Sequence, residues 1–426
     1  MKRYRVSRQP LRCYSEVGLS YANLYTGKKE LVEYFDDLDS LEEDLLLVAA
    51  GIFAADRATA RREREDFHRE IGVSFFLAHP ERFERAKERL ESVLHLLTHD
   101  SWQLAFAADP DASRERSSSW PREREGTTLL FSGGIDSLAA AVQRLEQPPL
   151  QLVSHHTRNT RTRAAQTSLV EGLRSHGFEG PHRSYFVSAR DRMGLVGHGA
   201  EGSQRTRSFL FLVLGAISAL HEGHDELLWI AENGILAIHL PLSAARVGAF
   251  STHTAHPQVV AEIESFLGIV CERKLTITNP FLYHTKGEVT GIVADFDPEL
   301  LFRSESCWMG ARLPPETSHC GECIPCVHRH IAIEQHLKDR TGYRRRAWEE
   351  DVGKLLFDDE GRRNLVELTE LIAGMRDYDD ETAISTYIEL VNPYLDLKPA
   401  LQLHRRFSAE ATGVLERYPA IARLLA

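Results

Sequence analysis

The chain has 426 residues, 42% of them hydrophobic and 27% charged, with a formal net charge of −11. This mix suits a globular protein of two or three cored domains, and the negative charge argues against nucleic acid as the main ligand. The longest apolar run, Phe209 to Leu220, is too short to span a bilayer and Met1-Lys2-Arg3-Tyr4-Arg5-Val6 leads into no apolar core, so the expectation is a cytoplasmic protein with no membrane partner.

Residues 1–110 read as a separate N-terminal α/β module. Ser40 and Glu43 have capping-box spacing ahead of an apolar helix from Leu45 to Ala55. Val73, Phe75 and Leu77 alternate as in a half-buried strand. Phe83, Ala86, Leu90, Val93, Leu94 and Leu97 recur at helical spacing and predict a core-facing stripe. The charged run Arg61 to Glu65 reads as solvated helix surface. Residues 111–125, rich in serine and charge, read as a linker.

Apolar runs near 129–131, 150–154, 185–187 and 227–231 alternate with helical stretches, which predicts a parallel sheet covered on both faces. In such sheets ligands bind at the carboxyl ends of the strands. The first run ends in Ser132-Gly133-Gly134-Ile135-Asp136-Ser137 and a helical stretch follows, Leu138 to Val142. A strand, a tight glycine turn and a helix N-terminus present free N–H groups to an anion. No Gly-Lys-Ser/Thr follows, so this is not the Walker pattern. His155 to Arg163 reads as a basic polar loop after the second strand, and the glycines between Asp191 and Arg205 suggest a mobile lid. Glu232-Asn233-Gly234 ends the fourth strand and offers acceptor and donor groups for a substrate base.

Cys307 stands ahead of Cys320-Gly321-Glu322-Cys323-Ile324-Pro325-Cys326, and four of the six cysteines fall here. Four thiolates suffice for a closed tetrahedral zinc site, which would be structural. An iron–sulfur cluster or two disulfides are the alternatives. Cys13 and Cys271 read as packing residues. Residues 338–426 read as a helical module, with one stripe at Leu365, Leu368, Leu371 and Ile372 and another beginning at Tyr387, Leu390 and Val391.

The Ser-Gly-Gly-x-Asp-Ser pattern at 132–137 resembles the pyrophosphate loop of the ATP-pyrophosphatase superfamily. Together with the cysteine cluster it resembles the QueC family, the 7-cyano-7-deazaguanine synthases, over roughly residues 127–337. Arg207 opening the apolar helix, Lys286 in Thr285-Lys286-Gly287-Glu288-Val289, and Arg329 three residues past Cys326 match further family blocks; Ser208 stands where the family has asparagine. The resemblance implies an ATP-pyrophosphatase (adenine nucleotide α-hydrolase-like) core over 126–337. It implies Mg-ATP at residues 132–137, Asp136 positioning Mg²⁺, and Lys286 and Arg207 neutralising phosphate charge. Glu232 and Asn233 would read the base, and Cys307, Cys320, Cys323 and Cys326 would hold zinc.

The activity implied is adenylation of 7-carboxy-7-deazaguanine followed by attack of an amine. The stretch from Leu240 to Pro257 departs from the synthases, and the flanking modules are extra. Both features resemble the QueC-like components of Qat-type anti-phage systems, which implies a partner protein as the amine acceptor. A conventional nitrile-forming synthase using ammonia is the alternative. A tRNA-thiolating enzyme and a zinc ribbon that binds nucleic acid or protein are further readings. A homodimer is compatible with all of them.

Overall fold

The computed structural model describes residues 1–9, 17–20, 24–36, 38–61, 68–112, 124–147, 149–156, 160–188, 201, 203–242, 254–314, 316–356 and 359–425. The strands are β1 (Lys2–Ser7), β2 (Val17–Ser20), β3 (Tyr25–Thr26), β4 (Glu70–Leu77), β5 (Ser101–Ala108), β6 (Arg124–Leu130), β7 (Leu150–His156), β8 (His182–Ser188), β9 (His224–Trp229) and β10 (Ile277–Thr278). They form two sheets. One is four-stranded and parallel, in the order β2-β1-β4-β5. The other runs β10-β9-β6-β7-β8-β3 and is parallel except for β3.

The alternation at Val73, Phe75 and Leu77 becomes β4, with all three side chains buried. Helices α1 (Lys28–Phe35), α2 (Ser40–Ala58), α3 (Pro80–Arg85) and α4 (Lys87–Thr98) accompany the first sheet. The capping box lies one residue earlier than expected. Asp39 caps α2 and Glu42 returns the bond, because Ser40 is turned to His79 and Glu43 to Arg8 and Lys28. The helical stripe from Phe83 to Leu97 keeps its buried face but breaks at Ala86 into α3 and α4.

The N-terminal segment does not pack apart from the second sheet. Strand β3 adds to its edge against β8, pairing Tyr25 with Ser188. One apolar core runs from Val6 and Phe75 through α2 to Phe209 and Leu214 of α7 (Arg207–Glu222). Gly51 on α2 is where sheet and helix touch: an added Cβ would lie 2.8 Å from both Phe75 and Val6.

The remaining helices are α5 (Ile135–Arg144), α6 (Thr160–Ser175), α8 (Gly234–Ile238), α9 (Pro257–Cys271), α10 (Lys286–Phe296), α11 (Pro298–Arg303), α12 (Ile324–Glu334), α13 (Glu360–Asp377), α14 (Asp380–Thr386), α15 (Leu397–Leu415) and α16 (Pro419–Leu425). The stripe Leu365, Leu368, Leu371 and Ile372 is buried on α13, in one cluster with α15. The second expected stripe is interrupted: Tyr387 and Leu390 are buried, but a 3₁₀ turn follows α14 and Val391 is 56% exposed. Among the described residues no helix is long and apolar enough to cross a membrane.

The connections set the place of the site. From β6 the chain goes to β7 on one side, and from β8 it returns across the sheet to β9 on the other side of β6. A crevice opens at the carboxyl ends where the strand order reverses in this way. The loops after β6 and β9 face each other across it.

Candidate active site

The loop after β6 is built by its own hydroxyls. Ser132 Oγ accepts from the Gly134 N–H at 3.3 Å and lies 3.2 Å from Ser137 Oγ, which donates to the Gly134 carbonyl at 3.1 Å. Gly133 has φ +89°, and an added Cβ would meet the Gln166 side chain at 3.1 Å, so this turn needs glycine. Gln166, a residue the sequence did not single out, donates to the carbonyls of Ser132 and His155 and ties the loop to the end of β7. No side chain caps α5 at Gly134. The N–H groups of its first turn, Ile135, Asp136 and Ser137, open toward the crevice as an anion-binding end.

Behind that turn lies a buried charged quartet. Lys286 Nζ donates to Asp136 Oδ1 at 2.8 Å, and both side chains are under one-tenth exposed. Asn233 Nδ2 donates to Asp136 Oδ2 at 3.0 Å and to Glu232 Oε1 at 3.4 Å. Glu232 and Asp136 are bridged by the Asn233 amide. Burial and the Asp136 charge push Glu232 well above the ordinary carboxyl range, while Lys286, Asn233 and Glu232 outweigh burial and hold Asp136 low. The two carboxyls are thus pushed apart, Asp136 toward the ionised form and Glu232 toward the protonated one. An ammonium has three donors, so Lys286 keeps capacity for an anion while bonded to Asp136.

Lys286 does not pair with Glu288. Thr285 and Glu288 form the capping box of α10, and Glu288 pairs with Arg406. One expected role changes. Asn233 is not a base reader: it is fully buried, its amide is spent on Asp136 and Glu232, and its oxygen caps α8 at the Leu236 N–H. It positions the acids. Each Asp136 oxygen accepts one hydrogen bond, from Lys286 or from Asn233.

Arg207 stands at the start of α7, apart from the quartet. The residue is exposed, and desolvation by the surrounding protein lowers its pKa. Its charge helps keep His155 neutral. His155 and His156 belong to β7 and not to a loop: His155 packs on Phe211 and His156 bonds Ser184. Arg161 is spent on the carbonyls of Pro314, Thr317 and Ser318. Arg163 lines an open cleft of about 990 Å³ with His156 and Phe186. Arg158, Cys13, most of the expected lid and residues 243–253 lie outside the described residues.

The four cysteines converge. The sulfurs of Cys307, Cys320, Cys323 and Cys326 all lie within 4.8 Å of one another, and none is in a disulfide. Backbone N–H groups of Met309, Cys320, Glu322 and Cys323 point at these sulfurs at 3.3–3.4 Å. Gly321 has φ +77° and an added Cβ would collide with the Arg345 carbonyl at 1.7 Å, so the knuckle closes only with glycine. Four thiolates packed this closely need a cation between them, and the N–H···S bonds suit charged sulfur. The cluster could hold a metal ion with no position left for a substrate.

The cluster is wired to the glycine loop. The Glu305 N–H, two residues before Cys307, donates to the Gly133 carbonyl at 2.9 Å. Arg329, fully buried, braces that segment through Ser304, Ser306 and the Leu301 carbonyl. Neither Glu305 nor the bracing role of Arg329 has a local sequence signal, because both depend on contacts between distant segments.

Three buried imidazoles, those of His155, His328 and His404, are each pushed down to about 3 by burial. In the unfolded chain histidine titrates near 6.5, so acid protonates the unfolded state first and draws the equilibrium toward it. Each imidazole then costs about 2 kcal/mol of stability between pH 7 and pH 5. Glu232, raised on folding, moves the other way and offsets one of them in part. Thermal unfolding followed by circular dichroism should show Tm falling steeply below pH 6.5, with the slope reduced in His404→Leu.

No protein-family model matches the chain, and no curated protein matches it.

Proposed function

We propose that this chain is an ATP-dependent ligase that adenylates the carboxylate of 7-carboxy-7-deazaguanine and passes the acyl group to an amine. In this reading the amine belongs to a partner protein in anti-phage defence. The observation that carries the reading is the Asp136–Lys286–Asn233–Glu232 quartet directly behind an uncapped, glycine-built helix N-terminus. The parallel sheet, with the loop at a strand's carboxyl end, suits the ATP-pyrophosphatase core that the sequence resemblance implies.

A carboxylate is a poor electrophile and must be activated. Its oxygen attacks the α-phosphorus of ATP, the bond from that phosphorus to the bridging oxygen breaks, and pyrophosphate leaves. The N–H groups of residues 135–137 and the hydroxyls of Ser132 and Ser137 hold the leaving group. Lys286, held by Asp136, neutralises the charge that builds there, and Arg207 at the start of α7 is the second cation of this reading. An amine nitrogen then attacks the acyl carbon and AMP departs. Asp136, on the first turn of α5, is the carboxylate that would position the magnesium of Mg-ATP. Zinc is the metal that fits the four thiolates, and its work is to hold the Cys307 segment against the loop.

The second reading is a conventional synthase that takes ammonia to the nitrile. Incubation with Mg-ATP, the acid and ammonium, followed by mass spectrometry, separates the two. The ligase reading expects AMP with product stopped at adenylate or amide. Nitrile at high turnover would establish the synthase instead, and no AMP would sink both.

A further inference from the structure

Next to the quartet, between α8, α12, α13 and α15, lies a cavity of about 230 Å³. Glu232 stands at one end and Trp308, 66% exposed, at the mouth; Leu371 and Phe407 form apolar walls. Two more lining residues are His328 of α12 and His404 of α15, only 3% and 1% exposed. Both ring nitrogens of each lack a hydrogen-bond partner among the described residues. A folded protein rarely leaves such groups orphaned. The same helix shows the ordinary case: His330 bonds Asp339 at 2.9 Å and Tyr418 at 2.7 Å. Among the described residues, the imidazoles with both ring nitrogens orphaned, His328 and His404, both line the cavity.

The chemistry of the lining restricts the occupant. Both imidazoles are neutral, as their low pKa values require. Each therefore offers one N–H donor and one acceptor. Apart from Glu232, His239 and Thr254, the other walls are apolar and aromatic, which disfavours a charged group against them and favours a flat ring. The volume fits one small heterocycle.

We propose that this cavity binds the ring of the acid substrate: a neutral purine-like heterocycle whose N–H and carbonyl edge meets His328 and His404, with its carboxylate end toward Glu232. This inference rests on the ligase reading for the identity of the ring. It also gives the helical segment after residue 338 a role, because α13 and α15 supply two of the walls.

The test is calorimetric titration of the full chain with 7-carboxy-7-deazaguanine, and separately with guanine, without ATP. His328→Leu, His404→Leu and the cavity-filling Leu371→Phe are compared with the parent chain, and Tm is recorded for each. The expected result is one equivalent bound by the parent and affinity lowered about tenfold or more in all three variants. His404→Leu should at the same time raise Tm, because it removes two unsatisfied nitrogens. A residue with only a structural role would not lower binding while raising stability. If the variants bind as the parent does, or the parent binds neither compound, the cavity holds only water and the inference is overturned. Formation of AMP is scored separately. Binding lost in the variants, with no AMP from the parent, would leave the cavity assignment standing and sink only the ligase reading.

Discussion

Stripping the ion from the four-cysteine site is expected to unfold the protein. Four sulfurs within 4.8 Å of one another repel as thiolates once the cation is gone. The alternative is protonation, which leaves buried thiols in place of metal bonds and loses the N–H···S bonds. Structural zinc sites return on the order of 10 kcal/mol, comparable to the whole stability of a typical domain. The segment ahead of Cys307 would then be tied through Arg329, bonded to Ser304, Ser306 and the Leu301 carbonyl, through the Ser306 N–H on His319 and through the Glu305 N–H on Gly133. The parent chain should carry one zinc per molecule by plasma mass spectrometry. A zinc chelator or Cys326→Ser should abolish the cooperative thermal transition or lower it by tens of degrees. Unchanged melting in chain shown to be free of metal would count against a structural site.

Removing the Lys286 ammonium is expected to damage stability and turnover together, by separable amounts. Lys286→Met leaves Asp136 buried beside Glu232 without its ion-pair partner among the described residues. Breaking a buried pair from one side costs about 3–5 kcal/mol, and the raised Glu232 offers only its proton in compensation. Lys286→Met combined with Asp136→Asn removes both charges and should recover most of that loss, a coupling that a double-mutant cycle measures directly. Activity should not recover. Both the single and the double variant should lose about a thousandfold in AMP formation, the scale on which a preorganised electrostatic group acts. Urea unfolding gives the first quantity and AMP release the second. A double variant as unstable as the single would mean that the pair is not coupled.

Much of this arrangement is legible in the sequence because it is local. The strand before Ser132, the glycine turn and the helix after it follow from residues within one stretch, as do the Cys-x-x-Cys steps and the stripe on α13. The quartet is another matter. Asp136 meets Asn233 across 97 residues and Lys286 across 150, and only the return of the chain from β8 to β9 brings them together. Glu232 and Asn233 could be placed at a strand end from the sequence, yet adjacent residues there took different roles. Asn233 turned inward to cap α8 and bond Asp136, while Glu232 stayed at the cavity. The capping box at Ser40 slipped by one residue because Asp39 offers the same chemistry, and a hydroxyl can bond elsewhere when a better cap precedes it. The shared core between the two sheets also escaped. It depends on the two-residue strand β3, too short to leave a periodic signal.

The proposed role of the loop and quartet is to activate a carboxylate by adenylation, and isotope exchange tests that step without needing the amine. Chain, Mg-ATP and labelled pyrophosphate are mixed with or without 7-carboxy-7-deazaguanine, and label entering ATP is counted. Exchange should require the acid and be lost in Lys286→Met/Asp136→Asn. Exchange that proceeds equally without the acid, or none in its presence while the chain is folded and metal-loaded, would contradict it.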